Sequence, residues 1–386
     1  MNIPSPGEQL RYFQKQQSRI VDTVCQLVEI ESPSDVKPAV DRLGTVVGSR
    51  FGEIGGRVRV HRAEKFGDHL QIDFPRARAS REKPILLLGH LDTVHPMGTI
   101  SKMPCRKVKG NLHGPGALDM KSGIAIMLHA LEALLEWGGG RLARPVTVWL
   151  VSDEEVGSRS SRATTESLAR ASEAVLVLEP AAGANGAVKT ARKGVGEYSL
   201  EVTGKAAHSG LDFEKGENAL VELARQILEI SKLVDPERGI TVNVGKAGGG
   251  TRVNVVPAAA SASVDVRVSR MADGRRIDRK LRALRPFNRN CRIRISGGIN
   301  RPPMERNSRV AALYARAAAV ARELGWKLEA ASVGGGSDGN FTAALGIPTL
   351  DGLGAVGDGA HAKHESVVIR ELPRRAALLA GLMARI

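Results

Sequence analysis

The sequence predicts an α/β protein: a mostly parallel sheet with helices on both faces, interrupted by an inserted α+β domain. Three observations lead there. Short apolar runs at 85–88, 146–151, 174–178 and 347–350 are too compact for helices and read as buried parallel strands. Helical patterns alternate with them, which is how layered α/β folds are written. Between residues 193 and 303 the order changes to strand, helix, strand, strand, helix, strand, the ferredoxin-like sequence of elements.

Each element has its own pattern. Residues 18–30 place Ile20, Val24, Leu27 and Val28 on one helical face. Residues 120–137 do the same with Ile124, Met127, Leu128, Leu131, Leu134 and Leu135, and 309–324 is a second, Ala-rich helix. In the middle, 197–203 alternates with Tyr198, Leu200 and Val202 on one side. An amphipathic helix at 218–234 and a strand at 241–244 follow. A strand at 261–269 then carries Val264, Val266 and Val268 on one face, before a helix at 278–284 and a strand at 291–295. Residues 1–192 and 304–386 are therefore expected to form one domain and 193–303 an inserted one, with hinges near 189–196 and 300–303. Gly-rich stretches at 248–250 and 334–336 read as tight loops.

Composition narrows the class. With 42% hydrophobic and 25% charged residues over 386 positions, the chain is not intrinsically disordered and has material for a sizeable core. No apolar run reaches the ~18–20 residues of a membrane helix, and the N-terminus lacks an apolar signal core. The expectation is a cytoplasmic protein without a membrane partner. Cys25, Cys105 and Cys291 are far apart in sequence and odd in number, matching neither a disulfide framework nor a thiolate metal site. They read as buried or half-buried small apolar residues. The charge of +15 draws anions, either nucleic acid or small substrates. Aromatics at 3% leave few platforms for stacking bases, and the Arg-rich stretch 267–294 reads as a solvated basic face. No nucleic-acid partner is expected.

Polar motifs follow the predicted strands. ILLLGHLDTVH puts His90 and Asp92 after the first, VWLVSDEEVGS puts Asp153, Glu154 and Glu155 after the second, and AVLVLEP puts Glu179 after the third. IPTLDGLGAVGDGAHAKHES puts His361 a loop beyond the fourth. Ligands of open α/β sheets bind outside these carboxyl ends. GPGALDMKSG sets Asp119 at the mouth of the 120–137 helix, where backbone N–H groups favour an anion. Such a convergence of histidines and carboxylates needs a cation. Oxygen and nitrogen donors without thiolate suit zinc, cobalt or manganese, and their number suits two metals about 3.5–4 Å apart. Asp92, two residues from His90 in an extended segment, is positioned to hold the unligated ring nitrogen. His129 reads as structural, His61 and His69 as lying in a polar, exposed region, and His95 and His113 carry no assignment.

These residues resemble the aminoacylase–glutamate carboxypeptidase family of two-zinc hydrolases. GHLDTV, GPGALDMKSG, SDEEVGS, LEP, GKAAHSG, VNVVPA, VDVR, GGGSDG and GDGAHAKHE stand in the family's order, from about residue 20 to the end. The resemblance implies a zinc-peptidase-like catalytic domain and a lid that forms a homodimer. It implies two zinc ions per subunit: His90 and Glu179 completing one site, Glu155 and His361 the other, and Asp119 bridging. His361, not His364, takes the ligand position after the Gly-Ala turn. Asp92 would orient His90, and Glu154 would be the general base that activates the attacking water. His208 would supply an oxyanion donor to the partner subunit's site. Arg267, projecting opposite Val266 and Val268, would grip the substrate carboxylate, with Asn254 and Gly335 as further contacts. GPG before Asp119 and the GGGSDG loop resemble the glutamate carboxypeptidase branch. The expected activity is therefore a metallocarboxypeptidase releasing a C-terminal amino acid, possibly glutamate, from a small peptide or N-acyl amino acid. The alternative is an N-acyl-amino-acid deacylase of the acetylornithine deacetylase or aminoacylase type.

Overall fold

A computed structural model describes residues 3–74 and 82–386. After an N-terminal helix at Pro6–Lys15, the elements that frame the site begin, in chain order, with α1 (Gln17–Val28), α2 (Lys37–Glu53), β1 (Arg57–His61), β2 (His69–Phe74) and β3 (Ile85–His90). Next come β4 (Arg106–Val108), β5 (Asn111–His113), α3 (Ser122–Trp137), β6 (Val146–Val151), α4 (Arg162–Ala171) and β7 (Ala174–Val177). The middle holds β8 (Gly194–Thr203), α5 (Ala219–Ser231), β9 (Thr241–Gly249), β10 (Ala259–Val268), α6 (Met271–Arg282) and β11 (Arg292–Arg301). The chain closes with α7 (Ser308–Glu323), β12 (Thr349–Leu350), β13 (Gly357–Asp358), β14 (Ser366–Val368) and α8 (Leu372–Met383). Two compact units result: Met1–Ala191 with Arg306–Val333 and Ser337–Ile386, and Arg192–Glu305 with Gly334–Gly336.

The first unit is built on a six-stranded sheet ordered β1–β2–β6–β3–β7–β12. Strands β6, β3, β7 and β12 are mutually parallel, while β2 and β1 extend one edge antiparallel. The continuous apolar runs have a simple cause: both faces of the sheet are buried. Ile85 and Leu87 enter a core with Ile20 and Val24 of α1, Ile124 and Leu131 of α3, and Leu378 of α8. Leu86 and Leu88 enter a second core with Trp149, Val175 and Ala169 of α4. A smaller sheet, β13–β14–β5–β4, is antiparallel throughout and pairs Ser366 with His113.

Two expectations for this unit need correction. His69 is buried, because β2 is flanked by β1 and β6 and is not an exposed loop. Its ring lies 5.6 Å from Trp149, and its Nδ1 accepts the Ser152 N–H at 3.0 Å. Secondly, α3 begins at Ser122 and not at 120. Residues Ala117–Lys121 form a separate irregular turn in which Asp119 and Met120 have non-helical backbone angles.

The second unit has the ferredoxin-like order of elements, in an antiparallel sheet β9–β10–β8–β11. Tyr198, Leu200 and Val202 of β8 and Val264, Val266 and Val268 of β10 face Leu223 and Ile230 of α5 and Ile277 and Leu281 of α6. The opposite positions, Glu197, Glu201, Ser261 and Ser263, are exposed, hence the clean period of two. Asn218 caps α5 by accepting the N–H groups of Leu220 and Val221, each at 3.0 Å. Helix α6 starts seven residues before the expected 278, its first turns carrying the helix-weakening Gly274. The 189–196 stretch read as a hinge is extended strand, shared between Val188–Arg192 and β8.

Candidate metal centre

The carboxyl ends of β3, β6 and β7 bring together the residues the motifs single out. His90 is the last residue of β3, Glu154 and Glu155 follow β6, and Glu179 follows β7. Asp119 lies between two histidines. Its Oδ1 is 3.1 Å from His90 Nε2, and its Oδ2 is 3.4 Å from His361 Nε2. His90 Nε2 is also 3.6 Å from Glu179 Oε1, and His361 Nε2 is 3.2 Å from Glu155 Oε2. One donor atom from each of His90, Asp119 and Glu155 lies within 4.8 Å of the others, as does one from each of His90, Glu154 and Glu179. His364 lies apart, exposed, 4.0 Å from Asp358.

Asp92 works through more than its expected contact. The nearest acceptor to His90 Nδ1 is the backbone carbonyl of Asp92 at 2.9 Å, its carboxylate being 3.5 Å away. That carboxylate, fully buried, accepts the Ser34 hydroxyl at 2.7 Å and the N–H groups of Glu154 and Glu155 at 3.2 Å. The Asp92 carbonyl is thus the group placed against His90 Nδ1, while the carboxylate sets the turn that presents both glutamates. Asp153 shapes the same turn, its Oδ2 accepting the N–H and hydroxyl of Ser160 at 2.7 and 2.8 Å.

Three features fit this cluster to a metal. The donor set is imidazole and carboxylate, the hard-to-borderline ligands of zinc, cobalt and manganese. Glu155 Oε1 is buried and has no hydrogen-bond partner among the described residues, a costly state for a carboxylate that lacks a cation. The protein itself answers the excess of negative charge with protons. Asp119 and Glu155 hold His361 protonated, pushing its pKa up to about 10. Burial opposes charging of His90, yet Asp119 and Asp92 raise it well above the ordinary imidazole value. Burial also raises Glu155. Asp119 goes the other way: despite burial, the two histidines hold it well below the usual carboxylate range.

One residue that the motifs did not single out completes the frame. Glu365 is fully buried. Its Oε1 accepts the N–H groups of Leu118 and Asp119 at 2.8 and 3.0 Å. Its Oε2 accepts the Gly116 N–H at 3.0 Å and faces His95 Nε2 at 2.7 Å. Glu365 is the anion bound by the GPGALD turn, whose Gly116 adopts a positive φ of 69°. The expected anion site at the mouth of α3 is thus filled from within, by the HAKHE motif that also carries His361. Lys121 is equally buried, donates to the Ile30 carbonyl at 2.7 Å, and is pushed down to about 7 by burial.

His208, Asn254, Arg267 and Gly335 belong to the second unit. His208 Nδ1 accepts the N–H groups of Gly210 and Leu211 at 3.1 and 3.2 Å, which puts its proton on Nε2. Asn254 is exposed beside it, its carbonyl accepting the Ser209 N–H at 3.0 Å. Arg267 lies on the sheet face opposite Val266 and Val268, and its Nε donates to both oxygens of Asp265 at 2.9 and 3.1 Å. The Gly335 carbonyl accepts Arg192 Nη1 at 3.2 Å.

Known proteins share this architecture. The aminopeptidase PepT from Bacillus cereus superposes with a TM-score of 0.79 at 21% identity, covering 95% of this chain and 98% of that one. The M20 family metallo-carboxypeptidase Sso-CP2 from Sulfolobus solfataricus gives 0.71 at 16% identity over 95% and 98%. In sequence, carboxypeptidase G2 of Pseudomonas sp. (strain RS-16) is 29% identical over 376 residues, 95% of this chain and 89% of that protein. A putative succinyl-diaminopimelate desuccinylase, DapE, of Mycobacterium tuberculosis (strain CDC 1551 / Oshkosh) is 33% identical over 204 residues, 50% of this chain and 54% of that protein. The sequence model of peptidase family M20/M25/M40 matches residues 86–385, most of the chain and every residue of the cluster. The chain belongs to peptidase family M20/M25/M40 and is a hydrolase of the metallopeptidase class.

Proposed function

We propose that this chain is a two-zinc carboxypeptidase that releases a C-terminal amino acid, glutamate being the leading candidate, from a small peptide or N-acyl substrate. The observation that carries the reading is the placement of the Asp119 carboxylate between His90 and His361, with Glu179 beside one and Glu155 beside the other. His90 and Glu179 would hold one ion, Glu155 and His361 the second, and Asp119 both. Bound there, the ions would supply Lewis acidity that brings water ionisation toward neutral pH and polarises an amide carbonyl.

The chain's own residues do the rest. Glu154 takes the proton of the attacking water and returns it to the leaving amine. Asp92 keeps Glu154 and Glu155 at their stations through the two backbone N–H groups. His208, with its proton on Nε2, donates to the developing oxyanion, and we assign that donation to the partner subunit of a lid-mediated homodimer. Arg267 pairs with the free carboxylate of the substrate, and Asn254 and the Gly335 loop line its approach. The carboxypeptidase G2 relative supports this over the alternative.

A second reading is favoured by the desuccinylase relative: an N-acyl-amino-acid deacylase using the same centre. Assay of N-acyl-glutamates and dipeptides with a C-terminal glutamate beside N-acetyl-ornithine and N-succinyl-diaminopimelate separates the two. Release of free glutamate without deacylation of the diamino acids supports the carboxypeptidase; the reverse pattern overturns it.

A further inference from the structure

We propose that Cys25 and Cys105 form a spatially paired dithiol that closes to a disulfide when the folded chain meets a small-molecule disulfide such as oxidised glutathione. The two are remote in sequence, and both are reduced in this structure. Their proximity rests on three contacts along one face of α1. Asp22 Oδ1 lies 3.4 Å from Lys107 Nζ. Cys25 lies between Asp22 and Val28 on α1, near enough to the Cys105 thiol to raise its pKa. A β-carbon built on Gly114 would meet Val28 Cγ1 at 2.4 Å and the Cys105 backbone at 3.6 Å. Positions 22, 25 and 28 recur every third residue and share one helix face, so this face is laid against the segment leading through β4 and β5.

The surroundings suit exchange chemistry. Both thiols are half-buried at the margin of the same apolar core. The neighbouring Asp22 and Lys107 side chains are 60% and 52% exposed, which opens that margin to a small reagent. Closing a bond of about 2.05 Å asks the two side chains to rotate toward one another across this packed seam. Cys291, in the second unit, is buried in a different core and serves as an internal control.

The order of events follows from environment. Burial and the adjacent Cys25 push the Cys105 thiol up to about 12, so Cys25 attacks first. Its thiolate, having released a proton to solvent, opens the glutathione disulfide and expels one glutathione thiolate. Cys105 gives up its proton as it attacks the Cys25 sulfur, and the second glutathione thiolate leaves. The two protein thiols have lost two protons and two electrons. The glutathione disulfide has gained both and become two thiols.

The test uses the full chain, folded and with metal bound, incubated with oxidised glutathione, alkylated and mapped by mass spectrometry without reduction. The expected result is a fall in free thiols from the three of the sequence to Cys291 alone, with the Cys25 and Cys105 peptides joined and dithiothreitol restoring all three. Cys291→Ser should form the same link. Cys25→Ser should leave Cys105 unmodified, since the first attack is lost. Glutathione retained on Cys25 beside a free Cys105, thiols that stay unchanged, or a link that appears only in denaturant would each overturn the proposal.

Discussion

The two units treat their candidate functional residues in opposite ways. In the first, His90, Asp92, Glu154 and Glu179 are buried, and the carboxylates that brace them are saturated: Asp92 with three donors, Glu365 with four. In the second, His208 and Asn254 are exposed, and Arg267 is half-exposed, with Asp265 as its partner among the described residues. The sheets explain the contrast. A sheet buried on both faces leaves room for polar groups only at its strand ends, where they must be fixed and mutually compensated. A sheet covered on one face offers an open surface where groups wait for a ligand. Groups that would hold metal and move protons need the first kind of site; groups that would meet the substrate, His208 among them, tolerate the second.

The sharpest break of this contrast is Glu154→Ala. Turnover should fall by roughly 10²–10⁴-fold while metal content is unchanged. Loss of metal with residual turnover would exchange the roles of Glu154 and Glu155. Next in size, Glu365→Ala strips the acceptor from three backbone N–H groups and His95. Denaturant titration should show about 3–5 kcal/mol of lost stability. A loss below about 1 kcal/mol would mean that the frame around Asp119 is not held as described.

Arg267→Ala probes the open surface. KM for substrates with a free carboxylate should rise by roughly 10–100-fold, with stability within about 0.5 kcal/mol of the parent. Equal changes for the carboxylate and its amide would remove the assigned contact. Metal affinity supplies a smaller, graded effect. In the metal-free chain His361 has its pKa raised to about 10, so its stabilising ion pairs are complete below the ordinary imidazole value and lost as pH rises through about 10. A metal must displace that proton. Apparent affinity should therefore strengthen by up to about tenfold per pH unit on raising the pH toward 10. An affinity that does not change with pH would contradict the proton-held cluster. Smallest of all, Val253→Ala, fully exposed in the second unit, should alter stability by less than about 0.5 kcal/mol, where Leu87→Ala in the buried sheet costs about 2–5 kcal/mol.

The same contrast explains what could be read from the sequence. Strands β3, β6 and β7 announce themselves because burial on both faces leaves them almost wholly apolar, and β8 and β10 because burial on one face enforces alternation. Strands β1 and β2 do not: His69, Gln71 and Asp73 of β2 are polar, and they are compensated within the strand and by β6 and the turn after it. Thr147 donates to Asp73, Gln71 donates to Asp73, and Ser152 donates to His69. The positions of His90, Asp119, Glu154, Glu155, Glu179 and His361 were legible as motifs at strand ends. The work of Glu365 was not: GDGAHAKHE ends on it, but its partners lie in a turn remote in sequence, so the motif does not say what the carboxylate binds. The turn at Ala117–Lys121 was hidden for a related reason: the apolar spacing of α3 carries on through residues whose backbone is not helical. The cysteines illustrate the limit most plainly, since spacing alone separates Cys25 from Cys105 and only the packing of α1 brings them together.

The central claim is that the strand-end cluster is a metal centre organised by Asp119. It is tested most directly by elemental analysis of metal-replete protein after gel filtration, run beside Asp119→Asn. The account predicts about two transition-metal ions per chain in the parent and loss of both from the variant. A parent free of tightly held metal, or a variant that keeps its full complement, would contradict it.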